Sequence, residues 1–116
     1  YIDQHDKPVV IPNAEGQLTT PSIVYFSGED SYVVGNEAVQ HCIADPLNTV
    51  TFIKRKMGQS DFRRNIYGCD YRPQQVSAMI LQKLKSDAED YFKQNRGEDI
   101  EVKDVVITVP ASWVFA

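Results

Sequence analysis

One short stretch concentrates positive charge: Lys54, Arg55 and Lys56 in FIKRKMG. A lysine ammonium is a compact charge on a flexible stem. It suits the steadying of a transferred phosphoryl group, a chemistry that rests mostly on positioning and electrostatics. The same cations also suit the last turn of a helix, where they meet the negative end of its dipole. Spacing alone leaves both readings open, with the solvated helix end as the plainer one. A second candidate is PVVIPNAEGQLTTPSIVYF, residues 8–26. A phosphate loop wants glycines at a turn and then a helix whose N-terminus faces the anion. Here the centre holds Asn13, a lone Gly16, Thr19, Thr20 and Pro21, and a β-branched run comes after it. These residues read as a connection between two strands. His41 beside Cys42 is no catalytic dyad, because neighbours on a helix point about 100° apart. The two histidines and two cysteines offer no zinc spacing, so no metal site is expected. The cysteines read as reduced thiols of a cytosolic protein.

These side chains need elements to hold them. PVVI, SIVYF and SYVVG are β-branched and aromatic runs separated by PNAEG and SGED, so the opening reads as a β-meander. The period then changes. NEAVQHCIAD spaces Ala38, Val39, Cys42 and Ile43 as a helix, with Asn36 as its cap and Pro46 as its stop. PLNTVTFIKRKMG predicts a second helix, capped by Asn48 or Thr49, with Val50, Ile53 and Met57 on one face and Gly58 past its end. QSDFRRNIYGCDY reads as a loop with at most one strand turn. From Pro73, at a first helical position, a long helix runs with a stripe of Val76, Ile80, Leu84, Ala88 and Tyr91, widened by Met79, Leu81 and Phe92. RGED breaks it. VVITV is apolar on both faces, as in a strand buried between neighbours, and Pro110 is its stop or a rigid pivot.

Composition bounds the function. The 116 residues suit one domain or one piece of a larger one. Hydrophobic content of 42% and charged content of 24% are those of a globular chain. A net charge of −4 argues against a nucleic-acid partner, which needs a basic face. No apolar run reaches the ~20 residues of a membrane span. The polar start YIDQHDKP is unlike a signal peptide and reads as the inside of a cut chain.

Taken in order, KPVVIPNAEGQLTTPSIVYF, VGNEAVQ, PLNTVTFIKRKMG, RPQQVSAMILQKLKSDAEDYF and DVVITVPASW resemble the ATPase domain of the seventy-kilodalton heat-shock chaperones, the DnaK type. The resemblance covers nearly the whole chain. It rests on IPN-x-EG-x-x-TTPS, KR-x-x-G and ITVPA in the right order. It implies an α+β fragment of the actin-like ATPase (ribonuclease H-like) fold, built from strands, short helices, one long helix and a buried return strand. Residues 1–20 would be a base-lobe strand segment, 21–103 the helical upper lobe, and 104–116 the return strand to the base lobe.

By resemblance, Lys54 matches the lysine that faces the terminal phosphate and attacking water. Arg55 matches the basic residue after it, and Pro110 the proline that relays nucleotide state between domains. SWVFA does not supply that proline's arginine partner, and QL stands before Thr19 where Asn-Arg is common. The short run 59–72 resembles the compact bacterial members. The resemblance further implies ATP or ADP with magnesium in the parent protein, and a cytoplasmic setting. Its partners would be unfolded clients, a J-domain co-chaperone and a nucleotide exchange factor. The first and second phosphate loops are not in these residues, so the chain alone is expected to be silent and to bind no cofactor. Exposed strand edges would favour a homodimer. The competing readings are a stand-alone interaction module and another actin-fold ATPase such as a sugar kinase.

Overall fold

The computed structural model describes residues 1–51 and 64–108. At its centre lies a hairpin. Strand β1 (Val24–Phe26) pairs antiparallel with β2 (Tyr32–Val34), placing Val24 opposite Val34 and Phe26 opposite Tyr32. The turn closes through the Ser27 amide, which donates to the Ser31 carbonyl at 2.9 Å. The VYF and YVV runs are β-branched and aromatic, and alternate residues point to one face. Val24 and Phe26 are buried there, with Val34 beside them.

Gly35 ends β2 at φ 86°, and a single helical turn, α1 (Asn36–Val39), comes next. Gly35, not Asn36, occupies the capping position. The helix expected to run on to Asp45 stops after Val39, and Ile43, assigned to its buried face, is 95% exposed. The cause is the return of the chain to the sheet. Asp45 and Pro46 open a 3-10 turn over Pro46–Asn48, and the backbone must swing back there to reach β1. Thr49–Val50 then form β3, pairing Val24 with Val50 and Tyr25 with Thr49. The sheet order is β2-β1-β3. Thr49 and Val50 were expected to start a helix. Two β-branched residues beside an open strand edge are better placed in the ladder. The remainder of that expected helix lies outside the described residues.

The run expected to be a loop holds a second hairpin, β4 (Arg64–Ile66) with β5 (Cys69–Tyr71). Its two turn residues, Tyr67 and Gly68, have φ of 50° and 80°, the signature of the turn whose twist matches a hairpin. Tyrosine is a rare occupant of such a position, which hides the turn from a sequence reading. Ile66 carries this hairpin into the core.

The long helix is as expected. α2 (Pro73–Arg96) starts with proline at its first position, and the Arg72 amide donates to the Gln75 side-chain oxygen at 2.7 Å. It ends at Gly97, φ 63°, whose amide donates to the Lys93 carbonyl while that of Glu98 donates to the Phe92 carbonyl. Val76 and Ile80 pack on Val24, Phe26, Val34, Val50 and Ile66, with Tyr71 and Met79 at the rim. Each large side chain so buried contributes about 1.5–3 kcal/mol. The stripe narrows beyond Ile80: Leu81 and Leu84 are about two-fifths exposed, and among the described residues the sheet under the helix has three strands. Near its C-terminal end α2 packs instead on Tyr1, whose ring lies 5.0 Å from that of Phe92.

Two expected strands are absent among the described residues. PVVI makes only an isolated bridge, Ile2 with Pro8. The run expected as a buried return strand has no strand structure from 104 to 108, and Val106 is 94% exposed. An apolar strand needs a neighbour on each edge, and none of the described strands lies beside it.

Candidate functional site

The loop 13–20 is organised by one side chain. Asn13 Oδ1 accepts from the amides of Glu15 (3.1 Å) and Gln17 (2.8 Å). Its Nδ2 donates to the Thr19 carbonyl (3.1 Å) and to Thr20 Oγ1 (3.2 Å). The Asn13 amide donates to the Gln17 carbonyl and the Gly16 amide to the Asn13 carbonyl, with Gly16 at φ 80°. Asparagine can do this because its amide mimics a backbone unit. The loop's inward amides are therefore already engaged, and it offers no nest of free N–H groups to an anion.

Closed in this way, the loop presents Glu15 to α2. Glu15 Oε2 lies 3.1 Å from Lys83 Nζ, and the same ammonium lies 2.7 Å from Asp87 Oδ2, one turn further along the helix. Burial pushes the Lys83 ammonium down. The hydrogen bonds to Asp87 and Glu15, with the attraction of both carboxylates, outweigh that and hold it above the ordinary lysine value. Asp87 is mostly buried, and Lys83 is its ion-pair partner. These three residues and Tyr32, Val34, Glu37 and Met79 line a cleft of roughly 400 Å³ between β2 and α2. With three carboxylates against one ammonium, the cleft repels phosphate.

A second polar cluster anchors the segment between α1 and β3. The His41 ring stacks on Tyr25 at 4.0 Å and 8°. Tyr25 Oη donates to Asp45 Oδ2 at 3.3 Å, and Asn48 Nδ2 donates to both Asp45 oxygens. Thr49 Oγ1 donates to the Asp45 carbonyl at 2.8 Å. Burial, then the neighbouring Asp45 charge, raises the Tyr25 phenol above its ordinary value. His41 and Cys42 lie past the end of α1 and have separate partners: the thiol faces the Ala38 carbonyl at 4.0 Å. Among the described residues no group of His, Cys, Asp and Glu could hold a metal ion.

The residues singled out for chemistry, Lys54, Arg55 and Pro110, lie outside the described residues. The Glu15–Lys83–Asp87 clasp was not anticipated. Lys83 and Asp87 stand at i and i+4, a legible pair. No local pattern relates Glu15 to them across the intervening chain.

The family model described as Hsp70 protein matches residues 2–67 and 61–114. The chain belongs to the Hsp70 family. It is accordingly a piece of an ATP-dependent molecular chaperone, a heat-shock protein with the actin-like ATPase fold. The family works with nucleotide and magnesium in the whole protein, and with client proteins and co-chaperones as partners. Neither the 13–20 loop nor this cleft fits a nucleotide: the loop amides are taken and the cleft is acidic. Among the described residues no helix is long and apolar enough to cross a membrane.

Proposed function

We propose that this chain contributes an upper-lobe segment to the ATPase domain of an Hsp70 chaperone of the compact bacterial type, and that it turns over no ATP alone. Residues 1–20 belong to the base lobe, 21–103 to the upper lobe, and 104–116 return to the base sheet. Lys54 faces the terminal phosphate and the attacking water, with Arg55 as its weaker neighbour. Pro110 relays nucleotide state to the client-binding part. The parent protein works in the cytoplasm in the stress response. It hydrolyses ATP to control client binding, served by a J-domain co-chaperone and an exchange factor. Phosphoryl transfer requires several phosphate and metal clamps in register, and one lysine cannot supply them.

The observation that carries this reading is the run Val105–Ile107. It is an apolar, β-branched segment more than half exposed throughout, as befits a strand made for a sheet that the described strands do not complete. The same run supports pairing between copies of the isolated chain. Calorimetric titration of Mg-ATP into the chain, with Lys54→Ala beside it, tests the proposal. The expected result is no heat of binding. Saturable binding that disappears in the Lys54 variant would overturn the silent-segment reading.

A further inference from the structure

The clasp does more than add an ion pair to a helix surface. Lys83 and Asp87 can pair within α2 alone, whereas Glu15 comes from the 13–20 loop. Among the described residues Glu15–Lys83 is the only ion pair that joins this loop to α2. Its setting is tight. The Lys83 side chain is 16% exposed, and its stem lies over Gly35, with Cε 3.4 Å from where a Cβ would stand. Thr20 Cγ2 lies 2.9 Å from the same point. Loop and lysine therefore meet over a gap that only glycine leaves open. The loop's own hydrogen bonds converge on Asn13, so its shape is held from within.

We propose that Lys83 is the latch of a charge-dependent strap, holding the 13–20 loop closed on α2 across Gly35 so that loss of this one charge frees the loop while the sheet stays folded. The strap is independent of the assigned role of Lys54. It links the chain entering β1 to the helix whose far end leads into residues 98–108. Glu15, Lys83 and Asp87 also line the cleft, so release of Glu15 enlarges it.

Nuclear magnetic resonance on the whole chain tests the strap. The readouts are the contact between the Thr20 methyl and the Gly35 α-protons, and the backbone mobility of Ala14–Leu18. Lys83→Met keeps the stem and removes the charge. It should lose the contact and mobilise the loop while the Val24–Val34 cross-strand contact persists. Lys83→Arg should retain both. A Lys83→Met variant with the Thr20–Gly35 contact and a rigid loop would overturn the proposal. Should Lys83→Met fail to fold, Glu15→Gln decides, since it leaves the buried Lys83–Asp87 pair in place. Loss of the contact there supports the strap, and its persistence refutes it.

Discussion

The loop at 13–20 and the segment at 103–108 are both irregular, and both flank the folded middle of the chain. The loop is polar, and its amides close on Asn13. The segment carries the apolar run Val105–Ile107, and just before it the Val102 amide donates to Glu89 Oε2 at 2.9 Å. Beyond that point Val105, Val106 and Ile107 face solvent. Irregular backbone is stable by itself when a side chain satisfies its polar groups. A run of β-branched residues has nothing of that kind to offer. On the proposed reading its amides pair with another strand of the whole protein, which would also cover its side chains. One irregular region is complete, and the other, on the proposed reading, is half of an interface.

Breaking the complete region should have the larger effect. Asn13→Ala removes four side-chain hydrogen bonds at once. It should lower the stability of the chain by roughly 0.5–2 kcal/mol, because the exposed loop amides exchange a fixed acceptor for water and the loop loses its organising side chain. Urea unfolding would show it. A loss below the error of that measurement would mean that Asn13 does not organise the loop.

The incomplete region should respond in the opposite sense. Val106→Lys removes apolar surface that is already in water, so stability should stay within about 0.5 kcal/mol. Self-association should fall, because a charge on an edge opposes strand pairing. Sedimentation of both variants over a range of concentrations separates these outcomes. An unchanged assembly state with lost stability would show that Val106 packs within the chain.

The smallest effect sharpens the contrast through pH. Tyr25 and Tyr71 belong to the folded middle, and burial raises both phenols above the ordinary value of 10.0. A raised phenol ionises more readily in the unfolded chain than in the folded one. Its stabilising contribution is therefore full below the unfolded value and fades as pH climbs through the folded one. Lys83 acts in the same direction, since its raised value favours the charged form only while the clasp exists. Stability should be flat up to about pH 9 and decline above about pH 10. Tyr25→Phe should blunt the decline slightly in a urea midpoint series. The 103–108 segment holds no tyrosine and should add nothing to it.

Much of this was legible in the chain itself. Pro73 and Gly97 bracket α2 because a missing amide suits a helix start and a left-handed turn suits its end. The hairpin of β1 and β2 arises from VYF and YVV around SGEDS. Family membership was legible too, in IPN-x-EG-x-x-TTPS, KR-x-x-G and ITVPA, because short ordered motifs survive in sequence without reference to contacts. The candidate site was less so. Lys54, Arg55 and Pro110 rest on motif alone, and the clasp at Lys83 had no local signature.

Composition, periodicity and turn chemistry are properties of neighbours along the chain, and they determined the globular class, the long helix and the main hairpin. The tertiary structure decided the rest. It ended α1 after one turn so that His41 could stack on Tyr25 and Asp45 could gather Asn48 and Thr49. It made Thr49–Val50 a strand because β1 offered an open edge. It brought Glu15 to Lys83, and it left Val106 in water. Each of these depends on which surfaces meet in space, and local preference carries no information about a partner that lies far along the chain.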